Sequence, residues 1–352
     1  MVVAGPCSAE SEMQVLETAQ ALAASGRVSA FRAGIWKPRS RPGSFEGIGG
    51  TALDWLVAAR AATGLPIMTE VANAQHVEAC LKAGLDAVWI GARTTVNPFY
   101  VQEIAEALRG VDLPVWVKNP IHSDVGLWIG ALERLDKVGI RHLAAVHRGF
   151  YADRPDPFRN DPKWELSFAL RTRVPDVPIV CDPSHIAGKR DLVEQVAQTA
   201  MDLQLDGLMI EVHPTPEKAL SDADQQLTPA ALVGLLERLE MRNQLPADPQ
   251  ALTQLANLRG TLDELDSELV HLLQQRMETV ASIGDLKAEH AMTVFQLDRF
   301  SHIFKARGEE AKNLGVHPGL IEELFQVVHK YSVQKQIEVR KDRTPDAAPE
   351  RS

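Results

Sequence analysis

Up to about Arg242 the chain alternates short apolar runs with stretches whose apolar residues recur every three to four positions. Eight runs stand out, at roughly residues 2–5, 28–33, 66–71, 86–91, 114–118, 141–147, 178–182 and 206–212, and a helical pattern follows each. Eight β/α units in about 240 residues predict an α/β fold, the closed parallel (β/α)8 TIM barrel. An open doubly wound sheet is the alternative, but its glycine fingerprint is missing: GIGG at 47–50 lacks the spacing.

Past Met241 the pattern breaks. The stretch RNQLPADPQ carries two prolines and no periodicity, which predicts a linker over 243–251. Beyond it there is almost no strand signal. Helices are expected at about 248–290, 296–313 and 318–340, the last opened by Pro318. The chain thus reads as a barrel over 1–242, a small all-α three-helix domain over 252–340, and a charged tail over 341–352 expected to be disordered.

Composition narrows the class. With 352 residues, 45% of them hydrophobic, there is enough apolar material for two cores. A net charge of -10 argues against nucleic-acid binding, because the one short basic run lies at Arg340 to Arg343. Cys7, Cys80 and Cys181 form no pairing framework, which points to a reducing compartment. The start MVVAGPC is not a signal peptide, and no stretch is long enough to cross a bilayer. A soluble cytoplasmic protein with no membrane partner is expected.

The chemistry sits after the apolar runs. Cys7 in AGPCS, His185 in DPSH, Glu211 in EVHP and Asp222 in ALSDAD offer a thiolate, an imidazole and two carboxylates. Taken singly, each is more often a small buried group, a helix cap or a surface charge. Together, at strand ends, they suit a first-row divalent ion such as Mn, Fe, Co or Zn better than magnesium or calcium. Each run is followed by one polar group: Cys7, Arg32, Glu70, Arg93, Lys118, Arg148, His185 and Glu211. With Lys37 and Arg39 the cations would crowd one mouth, an arrangement that calls for polyanionic, phosphorylated ligands. The loop 149–164, rich in Pro and Asp, reads equally as a lid or a solvated insertion.

These residues carry a resemblance. AGPCS, FRAGIWKPRS, IGAR, VKNP, HRG, DPSH and EVHPTPEKALSDADQQL, in this order and spacing, resemble the motifs of type I beta 3-deoxy-D-arabino-heptulosonate 7-phosphate (DAHP) synthases over residues 2–240. The resemblance implies a TIM barrel that condenses phosphoenolpyruvate with erythrose 4-phosphate. It implies metal ligands at Cys7, His185, Glu211 and Asp222, the last chosen over Asp224 because it lies eleven residues past the glutamate. Phosphoenolpyruvate contacts would fall on Arg32, Lys37, Arg93, Lys118 and Arg148, and the aldose phosphate on Arg39 and Ser40. The sister enzymes that make an eight-carbon sugar acid read KANRS where this chain has KPRS, which favours erythrose 4-phosphate over arabinose 5-phosphate. Lys37, crowded by arginines, is expected to have a lowered pKa and to donate a proton. Glu70 is a candidate for orienting the attacking water. Because the chain opens almost on its first strand, an N-terminal regulatory domain or hairpin carried by relatives is expected to be missing.

The first predicted helix beyond the linker carries a stripe at spacings of three and four: Leu252, Leu255, Arg259, Leu262, Asp266, Leu269, Leu273, Arg276, Val280, Ile283 and Lys287. Such a stripe buries against partner helices, and its charges either snorkel or meet an anion. Residues 252–338 resemble an AroQ-class chorismate mutase, in which two chains entwine. The resemblance implies chorismate contacts at Arg259, Arg276, Lys287, Arg299, Ser332 and Gln336, with Arg259 reaching across from the partner chain of a homodimer or larger assembly. Phe300 stands where the family commonly has a glutamate for the substrate hydroxyl, and Gln296 replaces an acidic position. Three readings follow: a bifunctional shikimate-pathway enzyme restrained by prephenate or chorismate bound to the helical domain, a synthase whose helical domain only senses ligand and dimerises, or a related sugar-acid synthase of the eight- or nine-carbon type.

Overall fold

The computed structural model describes residues 1–37, 43, 45–153 and 157–342. The chain divides into two compact units, Met1–Arg242 and Asn243–Ser352. The first is a closed barrel of eight parallel strands in sequence order: β1 (Val2–Gly5), β2 (Ala30–Arg32), β3 (Ile67–Val71), β4 (Ala87–Ile90), β5 (Val115–Lys118), β6 (Leu143–His147), β7 (Ile179–Cys181) and β8 (Gly207–Glu211). Strand β1 pairs with both β2 and β8, closing the cylinder.

The strands are shorter than the apolar runs for local reasons. Three runs begin on Pro66, Pro114 or Pro178, which have no N–H to give a ladder, and β3, β5 and β7 start one residue later. The run through β7 also stops before Asp182, which instead caps the helix Pro183–Ala187 by accepting from His185 N at 3.1 Å.

Alternation along each strand decides what lies inside. Val3, Met68, Trp89, Trp116, Ala144, Val146, Val180 and Met209 pack together in the barrel interior. The opposite faces join the larger core beneath the surrounding helices. Two residues beyond Ala30, Met68, Trp116 and Met209, on the same face, come Arg32, Glu70, Lys118 and Glu211. The interior therefore turns from apolar to charged at the carboxyl ends of the strands.

The second unit consists of three helices, Pro249–Glu289, Leu297–Asn313 and Pro318–Asp342. The first begins inside the stretch expected to be linker, capped by Asp248, and the third continues past Arg340. Residues 343–352, most of the expected disordered tail, lie outside the described residues. Only the carboxyl-terminal third of the long helix is well packed, at Val280 and Gly284. A Cβ on Gly284 would come within 3.2 Å of Gln336 Cα, so this glycine lets the first and third helices approach closely. Upstream the stripe is uncovered, with Leu262 56% and Leu269 46% exposed.

Candidate active site

Two loops bring the barrel residues together. Cys7 follows β1, and its backbone N donates to Gln226 Oε1 at 2.9 Å. Glu10 bridges the same two segments, accepting from Ser8 Oγ and from Leu220 N. Asp222 sits in that second loop with φ of 47°, a left-handed conformation that Asp tolerates better than most side chains. As a result one ligand atom each from Cys7, Glu211 and Asp222 lies within 4.8 Å of the other two, and Cys7 Sγ donates to Asp222 Oδ2 at 3.2 Å.

His185 stands at the edge of this group. Its Nε2 is 3.8 Å from Glu211 Oε1, and its Nδ1 is 2.8 Å from Asp182 Oδ2, at ion-pair distance but without hydrogen-bond alignment. Burial holds the imidazole pKa below its ordinary value despite Asp182 and Glu211, so the ring is neutral, the form that ligates metals. Burial likewise pushes the Cys7 thiol up to about 12, with Glu211 adding to the effect. For Asp222 burial alone would raise the pKa, but the charge of His185 when that ring is protonated, and Arg159 and Lys37 throughout, hold it well below the usual range. The donor set fits a first-row cation: soft sulfur, one neutral imidazole and two carboxylates, with the thiol needing a nearby positive charge before it ionises.

Around the cluster stand the cations. Arg32, 1% exposed, donates to Glu211 Oε1 at 3.3 Å and to Cys7 O at 3.1 Å, and its guanidinium lies 4.7 Å from the centroid of the Trp89 ring. Lys118 Nζ donates to Asp182 Oδ2 at 2.7 Å and lies 5.9 Å from the same ring. Trp89 is thus a floor for both charges, while its Nε1 donates to Glu70 Oε2 at 3.0 Å. Gly91 leaves room for that carboxylate, since a Cβ there would collide with it. Arg148 donates to Asn160 Oδ1 at 2.9 Å, and burial, with Arg159 and Arg93 nearby, disfavours its charge in a way that a bound anion would relieve. These groups open on a cleft of about 490 Å3 whose lining includes Lys37, Arg93, Lys118, Arg148, His185 and Asp222.

Lys37 behaves differently from the expectation of a lowered pKa. Burial alone would depress it, but Nζ lies 3.0 Å from Cys7 Sγ and faces Glu211 and Glu70, and the net shift is upward. Cys7 and the carboxylates of Glu211 and Glu70 outweigh the opposing charge of Arg32, so it is held as an ammonium. Arg39 and Ser40 lie outside the described residues.

Several groups were not singled out from the sequence. Asp182 holds both Lys118 and His185. It stands inside the DPSH string, and its position as a helix cap was a usable signal. Trp89 was legible from alternation along β4. Arg159 and Asn160 come from the loop 149–164, which is closed by a bridge between Phe150 and Asp161. Arg159 donates to Asp222 Oδ1 at 3.0 Å and Gln225 Oε1 at 2.7 Å. Nothing in the sequence marks it. Residues 154–156 of that loop lie outside the described residues.

In the helical unit, Arg276 NH1 donates to Ser332 Oγ at 2.6 Å, and Gln336 Nε2 to Ser332 O at 3.4 Å. Lys287 Nζ donates to Val294 O at 2.7 Å. Arg299 shares with Arg276 a cavity of about 310 Å3 that Phe325 also lines. Arg259 is exposed, roughly 26 Å up the same helix from Arg276 at the standard rise. One chain does not bring it to the others.

A barrel that places this cluster and its cations at the carboxyl ends of its strands matches the family described as DAHP synthetase I over residues 1–245. The chain belongs to that family. Residues 258–337 match a second family, chorismate mutase type II. Among relatives of the DAHP synthetase I portion is the phospho-2-dehydro-3-deoxyheptonate aldolase of Thermotoga maritima, 30% identical over 229 residues, which are 64% of this chain and 64% of that protein. The chain therefore spans less than two thirds of the length of that relative. The crystal structure of the DAHP synthase of Thermotoga maritima superposes with a TM-score of 0.61 at 29% identity, covering 68% of this chain and 67% of that one. The helical region is similar to the T-protein of Enterobacter agglomerans, 34% identical over 79 residues, 22% of this chain and 21% of that protein.

Proposed function

We propose that the chain is a bifunctional enzyme: the barrel condenses phosphoenolpyruvate with erythrose 4-phosphate to give DAHP and phosphate, and the helical unit rearranges chorismate to prephenate. The observation that carries the first activity is the convergence of Cys7, Glu211 and Asp222 within 4.8 Å at a cleft walled by arginine and lysine. A first-row divalent ion held there, with His185 as fourth ligand, would supply Lewis-acid polarisation of the aldehyde oxygen.

The side chains supply the rest. Arg93, Lys118, Arg148 and Arg32 bind the phosphate and carboxylate of phosphoenolpyruvate, with Trp89 beneath Arg32 and Lys118, and Arg39 and Ser40 take the aldose phosphate. C3 of the enol phosphate bonds to the aldehyde carbon, and water bonds to C2, where positive charge develops, before phosphate leaves. Lys37, held as an ammonium, is the proton donor for the aldehyde oxygen, and Glu70, fixed by Trp89, orients the water. Treatment with a strong chelator is expected to stop phosphoenolpyruvate consumption, and manganese to restore it; undiminished turnover by thoroughly demetallated protein would refute the ion.

Asp182 is the positioning residue of this site, holding an ammonium and an imidazole at once. Asp182→Asn is expected to weaken metal binding about tenfold or more, measured by competition with a chelating dye, and to raise KM for phosphoenolpyruvate. Unchanged affinity for both would remove that role.

For the second activity, Arg276, Arg299 and Arg259 bind the two carboxylates of chorismate, Ser332 orients Arg276, and Lys287 and Gln336 face the ether oxygen whose bond breaks. Holding the chair-like conformer and stabilising charge at that oxygen suffices without a cofactor. The exposed upper stripe of the long helix and the remoteness of Arg259 favour a homodimer in which the partner covers the stripe and delivers that arginine. Light scattering on the purified protein should give at least twice the chain mass; a stable monomer active on chorismate would exclude the entwined arrangement. The presence of both families on one chain supports feedback by prephenate, and synthase rates unmoved by saturating prephenate would dispose of it. Among the described residues no helix is long and apolar enough to cross a membrane, and the three buried free thiols fit a reducing, cytoplasmic setting.

A further inference from the structure

On the third helix of the second unit, Pro318–Asp342, His329, Ser332 and Gln336 follow at spacings of three and four and so share one face. Ser332 is engaged, accepting from Arg276 and donating to Val328 O at 2.6 Å. Two atoms of the face are not. His329 Nε2 and Gln336 Oε1 are, among the described residues of this unit, the buried side-chain polar atoms without a hydrogen-bond partner. Leaving such atoms unpaired is costly, and a ligand that pairs them recovers the cost.

The surroundings of His329 say what kind of ligand atom that is. The Phe300 ring meets it edge-on at 4.7 Å and the Phe295 ring at 6.1 Å, and neither offers a polar atom. Burial, then Arg276 and Lys287, disfavour its protonation, so the imidazole is neutral beside two fixed cations. A carboxylate of the ligand goes to Arg276 and the ether oxygen to Lys287, and a neutral ring nitrogen suits a neutral hydroxyl.

We propose that His329 Nε2 hydrogen-bonds the ring hydroxyl of chorismate bound between the long helix and the third helix. The assignment rests on the mutase reading above and adds a binding residue to it. His329 therefore discriminates between hydroxylated and deoxygenated substrates rather than acting on the breaking bond.

The test is made on the full chain with chorismate and with its analogue lacking the ring hydroxyl. His329→Leu keeps bulk and loses the polar atom; it is expected to raise KM for chorismate about fivefold, with kcat less affected, and to treat the deoxy analogue as the wild type does. His329→Gln, which returns a polar atom near the Nε2 position, should recover most of the loss. Equal losses on both substrates, or chorismate kinetics of His329→Leu within about twofold of wild type, overturn the assignment while leaving the mutase reading intact. Wild-type protein that neither consumes chorismate nor binds prephenate overturns both.

Discussion

Cys7→Ala is expected to lower phosphoenolpyruvate turnover by at least about a hundredfold and to reduce the metal content of the purified protein, while chorismate turnover in the same preparation persists. The reasoning is local. Cys7 is fully buried and its Sγ lies between Asp222 Oδ2 at 3.2 Å and Lys37 Nζ at 3.0 Å, so it sits where two oppositely charged walls meet. Burial keeps the free thiol protonated up to about 12 even with the Lys37 ammonium beside it, so a thiolate here needs a further cation against the sulfur. Losing the sulfur removes the soft donor and leaves the carboxylates of Glu211 and Asp222 facing His185, Arg32, Lys37 and Arg159. The chorismate arm shows that the loss is confined to the barrel, because Cys7 and Arg276 belong to different compact units, and the barrel's own fold is checked by circular dichroism. Full synthase turnover by Cys7→Ala would remove the sulfur from the site.

Arg276→Ala carries the second large effect, a fall of about a hundredfold to a thousandfold in kcat/KM for chorismate, followed by loss of chorismate absorbance. The guanidinium donates to Ser332 Oγ, and burial disfavours its charge, so it is oriented and partly desolvated before an anion arrives. Such a group contributes more to binding a carboxylate than an arginine free in water, because little reorganisation remains. Ser332→Ala should cost less, about tenfold, since the arginine stays but loses its orientation. Arg276→Ala with undiminished chorismate turnover would leave the helical unit as a sensor and dimerisation module.

The barrel was legible because a strand buried on both faces writes an uninterrupted apolar run, and eight such runs, each followed by a helical pattern, close a cylinder. The run ends were read less sharply. At Pro66, Pro114 and Pro178 the missing N–H delays pairing, and at Asp182 a side-chain cap starts a helix where a strand end was expected. The three helices were read with small differences at their ends, the first being set by the Asp248 cap.

Candidate site residues were legible where a motif ties a charge to a strand end, as with Arg32, Lys118 and Glu211. They were illegible where the charge arrives on an irregular loop, as Arg159 does. Lys37 shows a further limit. From the sequence its neighbours looked like arginines, and the lowered pKa followed from that. In space the barrel brings Cys7, Glu211 and Glu70 to it beside Arg32, and the sign of the shift reverses.

The sequence by itself determined the order and type of elements, the division near Arg242 and the residue types available for chemistry, because periodicity and proline act through neighbours in the chain. Tertiary structure alone decided which groups meet: Cys7 with Asp222 across 215 positions, Asp182 between Lys118 and His185, and the unpaired nitrogen of His329 beside Phe300. The physical reason is that electrostatics and desolvation depend on distances through space, which only the closed barrel and the packed helices establish.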